Sequence, residues 1–116
     1  FRSLFTAEER AGERFKWLQS FRKNDDVPEK EALLALLDVL CAADLRQEMF
    51  RITAPLQFIN GREDPICAAA FYEDLEKGLP QARFDWMEGC GHFPFVSRPV
   101  EFNRLLENFL EQQPHE

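Results

Sequence analysis

Two side chains in this sequence stand where they could move a proton together. Asp64 follows one short apolar segment by four residues, and His92 follows a second such segment by five. A carboxylate that fixes an imidazole tautomer and stabilises the imidazolium makes the ring an effective general base. An acid followed along the chain by a histidine is the second half of a nucleophile–histidine–acid triad. We therefore take Asp64 and His92 as the candidate catalytic pair, with Glu63 and Glu88 as alternative acids.

Each member of the pair also has a purely structural explanation. Asp64 precedes Pro65, so its carboxylate could simply cap a helix. His92 lies between Gly91 and Phe93, and a single histidine in a loop is more often packed than catalytic. Their order, with the acid and the histidine each just beyond a predicted strand, favours the catalytic interpretation over both alternatives.

Two short strands are expected to position the pair. Pro55 introduces the apolar run Leu56–Gly61, and Arg83–Met87 alternates polar and aromatic residues. Between them, Pro65 is expected to open a helix that continues to about Lys77. Because adjacent parallel strands lie about 4.8 Å apart, loops that leave the same edge of a sheet can bring their side chains into contact.

Helices are predicted before and after these strands. Thr6 and Glu9 have the spacing of a capping box, and apolar residues every three or four positions predict a helix over 7–22. A leucine-rich helix follows Pro28, and its nearly continuous apolar surface predicts burial or a partner. A last amphipathic helix begins at Pro99. This order predicts an α/β fold whose parallel sheet has functional loops at the carboxyl ends of its strands.

The composition argues against several classes of function. The 116 residues are 45% hydrophobic and 30% charged, as in a chain that forms a core, and the net charge of −7 disfavours a nucleic-acid surface. No apolar run approaches the roughly 20 residues that a membrane-spanning helix needs. Cys41, Cys67 and Cys90 lack the spacing of a zinc site and fit reduced thiols, so we expect a cytoplasmic protein. The sequence implies no metal and no organic cofactor.

Two segments resemble the α/β-hydrolase superfamily. Residues 61–66, Gly-Arg-Glu-Asp-Pro-Ile, are similar to the G-x-x-D segment that carries the triad acid. Residues 89–95 are similar to the G-x-G-H-x-P-F histidine loop, and the resemblance extends from Asp44 to about Leu110. The segments at 44–47 and 93–95 most resemble the pimeloyl-(acyl-carrier protein) methyl ester esterases of biotin synthesis.

The resemblance implies a particular division of the chain. Residues 1–43 would be the end of a helical lid, and residues 44–116 would be the carboxyl-terminal strand–helix–strand–helix part of the hydrolase core. Family members carry their nucleophile in a G-x-S-x-G elbow upstream of the lid. Ser3, Ser20 and Ser97 have no such context. We therefore expect a carboxyl-terminal half of a serine-type hydrolase, whose nucleophile and oxyanion hole lie elsewhere and which cleaves carboxyl esters through an acyl-enzyme.

The same resemblance suggests residues that contact the acyl group and its carrier. Aromatic side chains of the lid and of the histidine loop are expected to line an acyl pocket: Phe15, Trp17, Phe21 and Phe93. Basic side chains near the end of the first helix are expected to receive an acidic carrier protein: Arg14, Lys16, Arg22 and Lys23. Ordinary lid packing and a solvated helix face are the respective alternatives.

The expected partners follow from the same assignment. They are a small acyl ester, free or bound to acyl-carrier protein, and the amino-terminal half of the hydrolase on the same or a separate chain. Self-association of this chain is the alternative to that second half, and neither nucleic acid nor a membrane is expected. Two other functions stay open: a different hydrolase reaction, on a carbon–carbon bond, a peroxide or another ester or thioester, and a non-catalytic interaction module.

We expect the 116-residue chain alone to hydrolyse no ester faster than buffer, because a histidine without an adjacent nucleophile is a weak catalyst. Release of p-nitrophenol from p-nitrophenyl acetate or butyrate by the purified chain measures this. Turnover that begins with a stoichiometric acyl-enzyme burst would contradict the expectation. Cys90, two residues from His92, would then be the first nucleophile to test.

Overall fold

The computed structural model describes residues 2–21 and 29–113. After a short 3-10 turn at Arg2–Leu4, the elements follow in this order: α1 (Ala7–Ala11), α2 (Glu13–Ser20), α3 (Lys30–Ala42), α4 (Arg46–Met49), β1 (Gln57–Gly61), α5 (Ala69–Gly78), β2 (Arg83–Met87), α6 (Pro94–Ser97) and α7 (Pro99–Glu111). Within these ranges no helix combines the length and the apolar character needed to cross a membrane.

The two strands pair in parallel, which confirms the predicted α/β class. The register runs from Gln57 opposite Arg83 to Gly61 opposite Met87, so both strands end at the same edge of the sheet. The second strand has the predicted bounds, and the first begins one residue later than predicted. The helix between the strands forms the crossover that parallel pairing requires.

Helices cover both faces of this sheet. The Gln57 side chain donates hydrogen bonds to the Asp85 carboxylate, at 2.8 Å, and to the backbone oxygen of Leu105 in α7, at 3.0 Å. The next residue, Phe58, stacks on Phe84 at 4.6 Å and contacts the ring of Tyr72 in α5 at 6.3 Å. Because successive side chains of a strand point to opposite faces, α7 and α5 lie on opposite sides of the sheet.

The prediction of one continuous helix over 7–22 is wrong. The segment divides into α1 and α2 at Gly12, whose extended backbone (φ −77°, ψ 159°) ends the first helix and begins the second. Glycine is among the poorest helix formers, so an interruption costs least there. The predicted capping box is confirmed, since the Thr6 hydroxyl accepts from the Glu9 amide and the Glu9 carboxylate accepts from the Thr6 amide.

The helix expected to open at Pro65 begins instead at Ala69. The intervening residues form a turn in which the Asp64 carboxylate accepts the amides of Ile66 and Cys67. A side chain that binds the amides two and three residues ahead of it competes with the helical hydrogen bonds of that segment. The start of α5 is therefore displaced by four residues.

The amino-terminal helices pack against the segment that follows β2. Phe5 and Phe15 are each 3% exposed, and their rings meet edge to face at 5.0 Å. Phe5 also contacts the ring of Phe93 at 5.5 Å. Aromatic pairs at such distances add attraction beyond the area that they bury. These contacts join residues 2–15 to the sheet region.

The leucine-rich helix is present as α3, but the expectation that it is buried is wrong for this structure. Its large apolar side chains are between 47% and 65% exposed: Leu33, Leu34, Leu36, Leu37, Val39 and Leu40. Pro28, expected in the first turn, lies outside the described residues. The alternative that this helix presents a partner surface stays a prediction.

Gly61 marks the closest approach between the two strand ends. A Cβ atom at this position would lie 2.1 Å from the backbone oxygen of Gly91 and 2.4 Å from that of Cys90. No side chain tolerates such distances, and rigid backbone surrounds the position. The absence of a side chain at Gly61 thus allows the loop after β2 to cross the end of β1.

We expect Gly61→Ala to lower the free energy of unfolding by at least about 3 kcal/mol, because backbone must move to admit the methyl group. Gly78→Ala is the matched control, since its Cβ would meet only the Phe50 ring, at 3.1 Å, near the end of a helix. That change should stay within about 1 kcal/mol. Urea unfolding followed by circular dichroism compares the two, and equal midpoints would refute the assignment.

Candidate active site

The loop that carries Asp64 is hydrogen-bonded to the end of the neighbouring strand. After β1 ends at Gly61, the Arg62 amide donates to the backbone oxygen of Met87 at 3.0 Å. The Glu63 amide donates to the backbone oxygen of Cys90 at 3.1 Å. Backbone hydrogen bonding between the two segments thus continues beyond the strands. It fixes the position of Asp64 relative to the loop after β2.

The Asp64 carboxylate serves two sets of partners at once. Oδ1 accepts the amides of Ile66 at 2.8 Å and Cys67 at 3.1 Å, while Oδ2 lies 2.8 Å from Nδ1 of His92. The side chain is 7% exposed. A buried carboxylate needs such partners to offset its lost hydration. Asp64 therefore does not cap α5, whose N-cap is Ala68; its carboxylate stabilises the turn before that helix and also contacts His92.

The amino-terminal segment also fixes the loop that carries His92. The His92 amide donates to the backbone oxygen of Leu4 at 2.8 Å. The preceding amide, of Gly91, donates to the Glu9 carboxylate at 3.0 and 3.1 Å, and that carboxylate also accepts the Thr6 amide at 2.6 Å. One acidic side chain therefore caps α1 and fixes the loop that contains the histidine.

The contact between Asp64 and His92 determines which nitrogen of the imidazole is free to act as a base. With Asp64 ionised, Nδ1 of His92 donates its proton to Oδ2, and the neutral ring keeps its lone pair on Nε2. The His92 side chain is 32% exposed, so the ring is open on one side. An oriented, accessible imidazole backed by a buried carboxylate is suited to accept and return a proton.

The two alternative acids are placed differently. Glu63 and Glu88 are both exposed, and Glu88 lies 3.4 Å from the Arg62 guanidinium. Arg62 also pairs with Glu73 at 2.9 Å and lies over the Trp86 ring at 4.2 Å. These contacts tie the first loop to β2 and α5, whereas the carboxylate against the histidine is that of Asp64.

The four aromatic residues expected at the acyl pocket fall into different environments. The Phe93 ring lies 5.2 Å from the imidazole of His92, so it borders the pair. Phe15 is buried behind Phe5 in the core. Trp17 and Phe21 form a separate exposed pair, 61% and 67% exposed, with ring centroids 4.7 Å apart. The structure brings Phe93 alone of the four into contact with the candidate site.

The basic residues expected at a carrier surface are described in part. Arg14 is exposed and borders a groove of about 350 Å³ that also contains Phe5 and Val96. Lys16 is exposed and pairs with Glu13. Arg22 and Lys23 lie outside the described residues.

Sequence reasoning missed the thiol beside the pair. Cys67 lies next to Asp64 and His92, and one ligand atom from each residue falls within 4.8 Å of the other two. The D-x-x-C spacing of residues 64–67 was the available signal. Tyr72 is close as well: burial first, then its hydrogen bond with Cys67, raises the pKa of the Tyr72 hydroxyl to about 12.

Cys90, the other thiol near the histidine, is enclosed. It is fully buried, and that burial raises the pKa of its thiol to about 11. A thiol that stays protonated and inaccessible is a poor nucleophile. The residue therefore packs the loop beneath His92.

Part of this chain is similar in sequence to curated proteins. No protein-family model matches the chain. The pimeloyl-(acyl-carrier protein) methyl ester esterase of Nitrosomonas europaea is 35% identical over 86 residues, which cover 74% of this chain and 34% of that protein. The corresponding esterase of Yersinia pseudotuberculosis is 32% identical over 95 residues, which cover 82% and 37%. The chain thus spans little more than a third of the length of these relatives.

Solved structures decide the fold. An α/β-hydrolase enzyme from a deep-sea metagenome library superimposes with a TM-score of 0.67 over 98% of this chain and 43% of that one, at 20% identity. This is a partial α/β-hydrolase fold. A bacterial membrane phospholipase A gives a TM-score of 0.60 over 94% of this chain and 43% of its own, at 23% identity. Asp64 and His92 leave the ends of two adjacent parallel strands, where such sheets place their functional loops.

We expect the three thiols to differ in their reaction with Ellman's reagent at about pH 8 in the presence of a chelator. Exposed Cys41 should react fastest, and Cys90, protonated at that pH and buried, should resist until the chain unfolds. Mass spectrometry of peptides after timed alkylation assigns each rate. Labelling of Cys90 in the folded chain at the rate of Cys41 would contradict its placement.

Proposed function

We propose that this chain contributes the acid and the general base of a serine-type carboxyl-ester hydrolase, with Asp64 as the acid and His92 as the base. The observation that carries the proposal is the 2.8 Å contact between Oδ2 of Asp64 and Nδ1 of His92, beyond the ends of paired parallel strands. The similarity to curated esterases supports the same reaction class.

The proposed reaction uses the pair in two half-reactions. Nε2 of His92 accepts the proton of a serine hydroxyl as the oxygen attacks the ester carbonyl, and it then returns that proton to the leaving alcohol. The acyl-enzyme that forms is hydrolysed when His92 takes a proton from water. Asp64 stays ionised throughout, holds Nδ1 and stabilises the imidazolium.

The nucleophile and the oxyanion hole are proposed to come from the amino-terminal half of the hydrolase, on the same or a separate polypeptide. The serines of this chain lack an elbow sequence, and the relatives are nearly three times longer than the segment that they share with it. The exposed apolar side chains of α3 are available to pack against such a segment. Self-association through the same surface is the alternative arrangement.

The proposed substrate is an acyl ester, free or bound to a carrier protein. Phe93 borders the imidazole and is positioned to contact the acyl chain. Arg14 is exposed on the amino-terminal helices, where a cation can meet an acidic carrier surface. The names of the relatives suggest the methyl ester of a carrier-bound dicarboxylic acyl chain as the first compound to assay.

The roles of the pair are tested in the protein expressed from its complete reading frame. We expect His92→Ala and Asp64→Asn each to lower kcat by about 10³-fold or more, because the serine loses its base or the base loses its tautomer and charge partner. The initial rate of p-nitrophenyl butyrate hydrolysis under substrate saturation measures both variants.

Two matched controls accompany these variants. His115→Ala removes the other histidine of the chain, and Glu88→Gln neutralises an acid that pairs with Arg62. Both should retain kcat within about twofold. If Asp64→Asn also stays within twofold, Asp64 is a structural cap and the proposed acid is wrong.

A further inference from the structure

Three chemically different ligand groups converge beside the histidine. They are a carboxylate oxygen of Asp64, the Sγ atom of Cys67 and a ring nitrogen of His92, and each lies within 4.8 Å of the other two. Proton transfer by the acid–histidine pair does not use the thiol. Oxygen, nitrogen and sulfur donors together are the set that zinc and similar borderline-soft cations prefer.

We propose that Asp64, Cys67 and His92 form a binding site for a thiophilic divalent transition-metal ion such as Zn²⁺. Zinc bonds of about 2.0–2.3 Å in a tetrahedron place neighbouring ligand atoms about 3.4–3.6 Å apart. The three donor atoms lie within 4.8 Å of one another, and Oδ2 of Asp64 is 2.8 Å from Nδ1 of His92, so small side-chain movements that open this pair and draw in the thiol would give that spacing, with water completing the tetrahedron. The site differs from the sequence-based expectation of no metal.

The backbone already holds two of the three ligands together. The Asp64 carboxylate accepts the Cys67 amide at 3.1 Å, so the residue that bears the thiol is fixed beside the carboxylate. His92 arrives from the second loop, whose position is set by its amide bond to Leu4. Folding thus already orders the ligands, so metal binding costs little further conformational entropy.

A neighbouring hydroxyl is placed to support the thiolate. Tyr72 hydrogen-bonds to Cys67 and packs edge to face against Trp86 at 5.9 Å, which fixes its ring. A hydroxyl that donates to a ligating thiolate orients the sulfur and offsets its charge.

Metal binding has a defined proton balance. The Cys67 thiol releases its proton to the buffer as sulfur binds the metal. Binding at Nδ1 of His92 moves the ring proton from Nδ1 to Nε2, so the imidazole stays neutral, one proton is released for each metal bound, and no oxidation state changes. A neutral imidazole has one ring lone pair, so a metal on either nitrogen leaves His92 without the free lone pair that a base needs.

The consequence for activity rests on the proposed function, but the metal site itself does not. If His92 is the base of an esterase, Zn²⁺ at this site is an inhibitor that a chelator reverses. If the chain has another function, the three ligands bind the metal equally well. The decisive measurements therefore avoid ester hydrolysis.

Cobalt(II) gives a spectroscopic readout on the 116-residue chain. We expect one Co²⁺ per chain, a near-ultraviolet thiolate-to-cobalt charge-transfer band with visible tetrahedral bands, and loss of both when Zn²⁺ is added. Cys67→Ser should abolish the charge-transfer band, and Asp64→Asn and His92→Gln should each weaken Co²⁺ binding by at least about tenfold. The control Cys41→Ser removes an exposed thiol on α3 and should keep the spectrum.

A second measurement needs no variant. In the wild-type chain, saturating Zn²⁺ should slow alkylation of Cys67 by N-ethylmaleimide at least about tenfold and leave Cys41 unaffected, since a metal-bound thiolate is a poor nucleophile. Peptide mass spectrometry assigns the rates. An unchanged Cys67 rate, absence of the thiolate band in the wild-type chain, or a band that survives Cys67→Ser and disappears in Cys41→Ser would each overturn the proposal.

Discussion

The close passage of one loop over the end of β1 is the constraint on which the site depends. Parallel pairing brings Gly61 opposite Met87, and the missing side chain at Gly61 lets the backbone of Cys90 and Gly91 cross directly above it. A residue with a Cβ would force the loops apart and disturb the 2.8 Å contact between Asp64 and His92. The position of the imidazole against the carboxylate is thus a consequence of backbone packing.

Asp64 divides its two carboxylate oxygens between two sets of partners. One oxygen holds the turn before α5, and the other holds the imidazole, so the turn itself orients the acid. Since a buried carboxylate requires several donors, the two sets of partners reinforce each other. The same turn carries the Cys67 thiol to the pair, so the proposed proton transfer and the proposed metal binding would be alternative uses of the same ligand atoms.

The amino-terminal helices reach the site through backbone contacts. Leu4 and Glu9 hold the amides of His92 and Gly91, so the first helices determine how firmly the histidine loop is fixed. Farther along, α3 keeps its large apolar side chains at the surface. A helix of that composition gains from any partner that removes those side chains from water, which is how the proposed second half of the hydrolase would be bound.

The elements were predictable from local sequence, whereas the contacts between them were not. The alternation over Arg83–Met87 predicted a strand, and the capping-box spacing at Thr6 predicted the start of a helix. Both patterns depend on residues that are close together in the sequence. The contact between Asp64 and His92 is the exception, because each residue follows a predicted strand and adjacent parallel strands end at the same edge of a sheet. Burial of Phe15, the joining of Glu9 to Gly91 across 82 residues and the approach of Cys67 to His92 each require segments distant in sequence to pack together. The break at Gly12 and the late start of α5 have local causes that periodicity does not register, namely the poor helix propensity of glycine and the hydrogen bonds from the Ile66 and Cys67 amides to Asp64. Only the contacts between distant segments were decided by the tertiary structure, because they form when those segments pack together.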